Sequence, residues 1–349
     1  MKALRWHGLK DLRLENIDEP VAAPGKVKIK VEWCGICGSD LHEYTAGPIF
    51  IPEGAPHPLT GDKAPVVMGH EFSGQVVEVG EGVTRVKAGD RVVVEPIYAC
   101  GECDVCKQGY YNLCPSMGFL GLAGGGGGFS EYVAADEVMV HKIPDSVSYE
   151  QGALVEPSAV ALHAVRQSKL KVGDKAVVFG AGPIGLLVIE ALKASGAAEI
   201  YAVELSEERK QKATELGAIV IDPKQYDVVE EIHKRTNGGA DVAYEITGVG
   251  PVLTQALNST KVGGELMIVS IWEKEAPLMP NHIVMKERSV KGIIGYRNVF
   301  PAVISLMAKG FFSAEKLVTK RISLDQVVDE GFEALLKEKN HVKILVKAE

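Results

Sequence analysis

The chain reads as an α/β protein in two parts, a mostly β, barrel-like domain followed by a doubly wound parallel sheet. Two observations predict this. Residues 1 to about 150 are short β-rich runs punctuated by Gly and Pro, the pattern of antiparallel strands joined by tight turns. From about 150 onward strand-like runs alternate with helical ones, which predicts parallel strands joined by right-handed crossovers. A length of 349 residues exceeds one typical core and suits two domains.

In the first part, 27–33, 74–79 and 91–94 read as strands. Pro24-Gly25, Gly80-Glu81-Gly82 and Ala88-Gly89-Asp90 read as turns. Residues 46–65, rich in Pro and Gly, read as a surface loop over a cleft. The five glycines 124–128 read as a connection before the strand 129–134 rather than as a lid.

The second part is organised around 175–204. A β-branched run, 176–179, leads into Gly180, Gly182 and Gly185 in a G-x-G-x-x-G frame, with Pro183 and Ile184 between the last two. A helical run (186–192), a buried-strand run (200–203) and the acid Glu204 follow. Strand, tight turn, helix, strand and acid in that order predict dinucleotide binding. The helix N-terminus offers free N–H groups to the pyrophosphate, and the acid accepts from both ribose hydroxyls. Helices at 207–216, 228–236 and 252–259 alternate with strands at 219–221, 242–246 and 265–269. Thr247 and Ser270 end strands beside the expected switch point and line the cofactor groove on this reading. A helix at 299–309 and a strand at 343–346 close the chain.

Composition narrows the function. With 46% hydrophobic and 24% charged residues the chain is of ordinary globular type. A net charge of −8 and a pI of about 5.7 supply no basic field for nucleic acid or membrane surfaces. No apolar run is long enough to span a bilayer. The N-terminus MKALRWHGLK lacks the apolar region of a signal peptide. The expected compartment is therefore the cytoplasm, where six cysteines suggest metal ligands over disulfides.

Cys100, Cys103, Cys106 and Cys114 form C-x2-C-x2-C-x7-C in one short lobe. Four clustered thiolates suit a closed, structural zinc site, which is favoured over an iron–sulfur cluster or two disulfides. Cys34, in a C-x-x-C frame with Cys37, reads as a buried apolar residue rather than half of a redox pair. Cys37, His70 and Glu156 are too dispersed for spacing alone to assemble them.

The frames GICGSD, GHEFSG, CGECDVC…C, GFSEYV and GAGPIG occur in the order found in the zinc-dependent medium-chain alcohol dehydrogenases, and the chain resembles that family along essentially its whole length. An acid at 156 is similar to the polyol branch, which includes sorbitol and threonine dehydrogenases. The loop GPIFIPEGAPHPLTGDKAPVVMGHE resembles members of that branch that oxidise vicinal diols such as 2,3-butanediol. The resemblance implies a GroES-like catalytic zinc domain at 1–152 with a structural zinc lobe at 99–115. It implies a Rossmann NAD-binding domain at 153–295 and a return to the catalytic domain at 296–349. It makes Cys37, His70 and Glu156 ligands of a catalytic zinc, with Glu71 a second-sphere or exchanging ligand, and gives two zinc ions per chain. Ser39 becomes the relay hydroxyl, with His42 passing the proton onward.

The implied reaction is reversible hydride transfer from a diol, or to a hydroxyketone, with NAD. Glu204 favours NAD because its charge repels a 2′-phosphate. Arg209, five residues on, meets a phosphate or packs on adenine. Sorbitol or threonine oxidation is the alternative within the branch. A zinc-ribbon-bearing, nucleotide-binding structural protein is the alternative outside enzymes. The family's pairing through the edge of the dinucleotide sheet implies a homodimer or homotetramer.

Overall fold

The computed structural model describes residues 1–272, 274–338 and 341–348. It divides into two compact units, Met1–Glu156 with Phe300–Glu349, and Pro157–Val299.

The first unit is built on the strand Lys26–Gly35. Its alternation sends Val27, Ile29 and Val31 into the core and Lys28 and Lys30 outward. Each such fully buried Val or Ile contributes roughly 1.5–3 kcal/mol. The sheet runs Val140–Lys142, Arg91–Val94, Glu71–Val79, Lys26–Gly35, Lys343–Lys347 and Val318–Ser323, with Tyr132–Asp136 also paired to the central strand. Only the pair Val318–Ser323 with Lys343–Lys347 is parallel among these. The register sets Gly35 opposite Glu71 on one side and Leu345 on the other. Three segments remote in sequence thus meet at one place, just before the helix Gly38–Ala46.

The run 124–128 is not an open, mobile connection. Its glycines are buried or half-buried. A Cβ on Gly128 would lie 2.7 Å from both Cys34 Sγ and Phe72 Cβ, and Gly128 N–H donates to Gly69 O at 2.7 Å. Asp62, in the 46–65 loop, accepts from Gly125 N–H at 2.7 Å, and Thr60 donates to Ala123 O at 2.6 Å. Side chains are absent here because a Cβ would collide with Asp62 at Gly124, Tyr98 at Gly125, the Val67 and Met68 carbonyls at Gly127, and Cys34 and Phe72 at Gly128.

The second unit is a six-stranded sheet in the order Ile219–Ile221, Glu199–Val203, Lys175–Phe179, Ala240–Glu245, Thr260–Ile268, Ser289–Gly292. Every pairing is parallel. Ala176, Val177, Val178 and Phe179 are wholly buried, as expected of a strand covered on both faces. Strand order reverses between Lys175–Phe179 and Ala240–Glu245, the switch point at which such sheets bind ligands. The helices are capped conventionally: Ser206 Oγ accepts from Arg209 N–H, and Asp227 from Glu230 N–H. The edge strand Ser289–Gly292 escaped the sequence reading because SVKG carries almost no apolar signal. No helix among the described residues is long and apolar enough to cross a membrane.

Candidate active site

Cys37 is the N-cap of the helix Gly38–Ala46, and Asp40 in its first turn accepts from Cys37 N–H at 2.9 Å. The same wholly buried Asp40 reaches His70 Nδ1 at 3.5 Å with its other oxygen. Ser39 Oγ lies 3.3 Å from His70 Nε2. One ligand atom each from Cys37, His70 and Glu71 falls within 4.8 Å of the others. A thiolate, an imidazole and a carboxylate form a donor set for a divalent metal, and a carboxylate behind the imidazole is the usual outer support.

Charge in the cluster points the same way. Burial pulls His70 down, but the anionic surroundings of Asp40 and Cys37 more than reverse it and hold the imidazole well above its ordinary pKa. A pocket that stabilises positive charge on a buried imidazole suits a cation.

Glu71 is also wholly buried, and both its oxygens are taken by Lys343 Nζ, at 2.9 and 2.7 Å. Lys343 donates a third bond to Ile36 O at 3.1 Å. Burial disfavours the charged ammonium, yet Glu71, Cys37 and Glu156 together raise Lys343 above its ordinary value. Glu156 occupies the first turn of the helix Val155–Gln167 and is nearly buried. Its charge reaches Lys343, but the trio within ligand distance contains Glu71 in its place. His42 is exposed, one turn beyond Ser39.

An aromatic wall stands beside His70. Phe119 lies 6.1 Å from the His70 ring and 6.5 Å from Phe50. Phe50 is placed by Glu43, a buried carboxylate on the same helix as Ser39 that accepts the N–H groups of Ile49, Phe50 and Ile51.

The second metal centre is compact. Sγ–Sγ distances are 3.6 Å for Cys100–Cys114 and 4.0 Å for Cys100–Cys106 and Cys103–Cys114. A tetrahedron with Zn–S bonds of about 2.3 Å has edges of about 3.8 Å, so one zinc fits and a multi-iron cluster does not. Backbone N–H groups of Cys103 and Glu102 pull Cys100 down to about 6, while desolvation and neighbouring thiols push Cys106 up to about 12. The four cannot all ionise without a cation between them. None of the six cysteines is in a disulfide. Cys34 is buried in the hydrophobic core, and burial raises its thiol well above the ordinary value.

In the second unit Gly180 has φ +96°, and a Cβ on Gly185 would lie 1.9 Å from Gly180 O, so turn and helix can meet only as glycines. The helix Pro183–Ala194 starts from Gly182 with proline in its first turn, Ile184 following. Glu204 is not free for two ribose hydroxyls. It accepts from Ala181 N–H at 2.8 Å, Leu205 N–H at 2.7 Å and Ser206 N–H at 2.9 Å, leaving one of about four lone-pair sites. The Arg209 guanidinium lies 3.8 Å from where a Gly182 Cβ would stand, and its Nε is buried with no hydrogen-bond partner among the described residues. Thr247 and Ser270 both bond to the buried Glu245.

Sequence reasoning passed over Asp40, Glu43, Lys343 and Glu245. Asp40 sits inside the GICGSD frame and was legible as a partner for a ligand histidine. Lys343 and Glu245 carry no local signal.

Residues 23–145 match the alcohol dehydrogenase GroES-like domain family, and residues 183–309 match the zinc-binding dehydrogenase family. The chain is 70% identical to a Bacillus subtilis (R,R)-butanediol dehydrogenase, with 99% of each chain covered. It is 38% identical to a sorbitol dehydrogenase of the same organism, covering 99% of this chain and 97% of the relative. The crystal structure of Bacillus subtilis 2R,3R-butanediol dehydrogenase superposes with a TM-score of 0.96 at 69% identity, over 99% of each chain. The chain belongs to the zinc-dependent medium-chain alcohol dehydrogenases.

Proposed function

We propose that this protein reversibly oxidises (R,R)-2,3-butanediol to acetoin, and reduces acetoin and diacetyl, with NAD as cofactor and zinc at both metal centres. The observation that carries the reading is the meeting of Cys37, His70 and a carboxylate, braced by Asp40, in a chain 70% identical to an (R,R)-butanediol dehydrogenase. Bound zinc supplies Lewis acidity that lowers the pKa of the substrate hydroxyl, and NAD supplies the hydride acceptor.

The chain's own residues do the rest. Cys37 and His70 hold the metal, with Glu156 the third ligand and Glu71 held in reserve by Lys343. Ser39 Oγ would accept the carbinol proton as it hands its own to His42, one turn on and exposed, which releases a proton to water. Phe50 and Phe119 offer a wall suited to the methyl groups of a short diol rather than to a chain of hydroxyls. Gly180, Gly182 and Gly185 admit the pyrophosphate at the helix N-terminus. The charge of Glu204 selects NAD over NADP, and Arg209 packs beside the adenosine half.

Six cysteines without a disulfide suit a reducing, cytoplasmic setting. The short edge strand Ser289–Gly292 suits pairing of subunits into a homodimer or homotetramer. NADH formation measured side by side with the three 2,3-butanediol stereoisomers, sorbitol and threonine tests the assignment. The (R,R) isomer is expected to lead; sorbitol or threonine leading would move the enzyme to another place in the branch.

A further inference from the structure

Glu245 ends the strand Ala240–Glu245, which stands directly across the switch point from Lys175–Phe179. It is wholly buried. Among the described residues no lysine, arginine or histidine pairs with it. A buried carboxylate without a cation is costly unless its oxygens are filled by donors, and here they are. One oxygen accepts from Thr247 N–H at 2.7 Å, Thr247 Oγ1 and Gly248 N–H at 3.1 Å. The other accepts from Ser270 Oγ.

These donors belong to two strand ends. Thr247 and Gly248 follow Ala240–Glu245, and Ser270 follows Thr260–Ile268. Gly248 sits at φ +67°, and a Cβ on it would lie 3.2 Å from Ile271 O. Thr247 in turn packs on the glycine-rich turn, its Cγ2 lying 2.8 Å from where a Gly180 Cβ would be. Side chains that end parallel strands at a switch point form the floor of the ligand crevice. Glu204 and Arg209 lie on the other side of the switch, in the half that takes the adenosine. The half tied by Glu245 therefore faces the second nucleotide.

We propose that Glu245 is a positioning residue for the nicotinamide half of the dinucleotide. By collecting four donors it locks Thr247, Gly248 and Ser270 into one rigid wall and leaves the adenosine half untouched. The proposal rests on the dinucleotide reading given above.

The test compares NADH with AMP, which carries only the adenosine half, in calorimetric titrations of the intact protein. In Glu245→Ala, four donors lose their acceptor, and the NADH dissociation constant is expected to rise about tenfold or more while that of AMP stays within about twofold. Glu245→Asp keeps the charge but shortens the reach, and gives the same split if the alanine variant fails to fold. Glu245→Gln restores NADH binding to within about threefold, since its oxygen accepts from the Thr247–Gly248 turn and its amide donates to Ser270. NADH binding unchanged in whichever of Glu245→Ala and Glu245→Asp folds, or a parallel loss of AMP, overturns the positioning role. A wild-type protein that binds AMP but not NADH overturns the dinucleotide reading itself, and this inference with it.

Discussion

The lobe of Cys100, Cys103, Cys106 and Cys114 draws four donors of one kind from fifteen consecutive residues and leaves most of them partly exposed. The trio of Cys37, His70 and Glu71 draws three kinds of donor from a helix cap and the start of a strand, with Cys37 half-buried and His70 and Glu71 buried among Asp40, Glu156 and Lys343. The first centre needs only short-range geometry, because four thiolates close the coordination sphere and nothing else has to bind. On the function proposed above, the second keeps a position for substrate, so its donors must be oriented by outer partners. A closed site can be written in a local motif; an open one has to be assembled by the fold.

This contrast can be broken at several points. The largest effect belongs to the open centre. His70→Ala removes a ligand and is expected to cost about 10⁴-fold or more in kcat/KM, of the order that removal of a catalytic machine causes, while zinc analysis still finds the thiolate-bound ion. Steady-state NADH formation with parallel metal analysis checks this.

Next comes Lys343→Met. It leaves the Glu71 carboxylate buried and unpaired, which typically costs about 3–5 kcal/mol of folding stability. The double variant with Glu71→Gln is expected to recover much of that loss, because the uncompensated charge has gone. Urea denaturation of the two variants measures the difference.

Asp40→Asn keeps shape but removes the charge behind His70 and is expected to lower zinc affinity or activity about 10–100-fold. Competition with a chromogenic chelator reads it directly. Smallest in activity is Cys103→Ser. It should empty the closed lobe and lower the melting temperature, while kcat/KM per folded molecule falls less than about tenfold, since that lobe touches no substrate. A loss as deep as that of His70→Ala would erase the distinction between the two centres.

Legibility in the sequence followed the same division. The parallel sheet was readable because its inner strands, such as Lys175–Phe179 and Glu199–Val203, are apolar runs and two of its helices carry side-chain caps at Ser206 and Asp227. The thiolate lobe and the turn from Gly180 to Gly185 were readable because their chemistry is contiguous. Cys37 and His70 were joined only through resemblance, which made Glu156 their third partner where the structure sets Glu71, because the antiparallel register of Gly35 on Glu71 is what brings them together. Lys343 was invisible: it lies 272 positions from Glu71, and only the pairing of Lys343–Lys347 with Lys26–Gly35 brings it there. Glu245 was hidden for another reason. A charged residue ending an apolar strand reads as a solvent-facing terminus, and nothing local shows that four donors converge on it. The glycine run 124–128 read only as a connection, and nothing local shows that Gly128 lies tight against the Cys34 and Phe72 side chains.

In the proposed reaction, an electrophilic metal bound through Cys37 and His70 drives diol oxidation. Zinc content and NADH formation from (R,R)-2,3-butanediol, measured on the same samples of wild type and Cys37→Ser, test it most directly. About two zinc ions per chain with turnover in the wild type, and about one without turnover in the variant, is the expected result. A Cys37→Ser protein that keeps its full zinc content, or forms NADH at the wild-type rate, would contradict it.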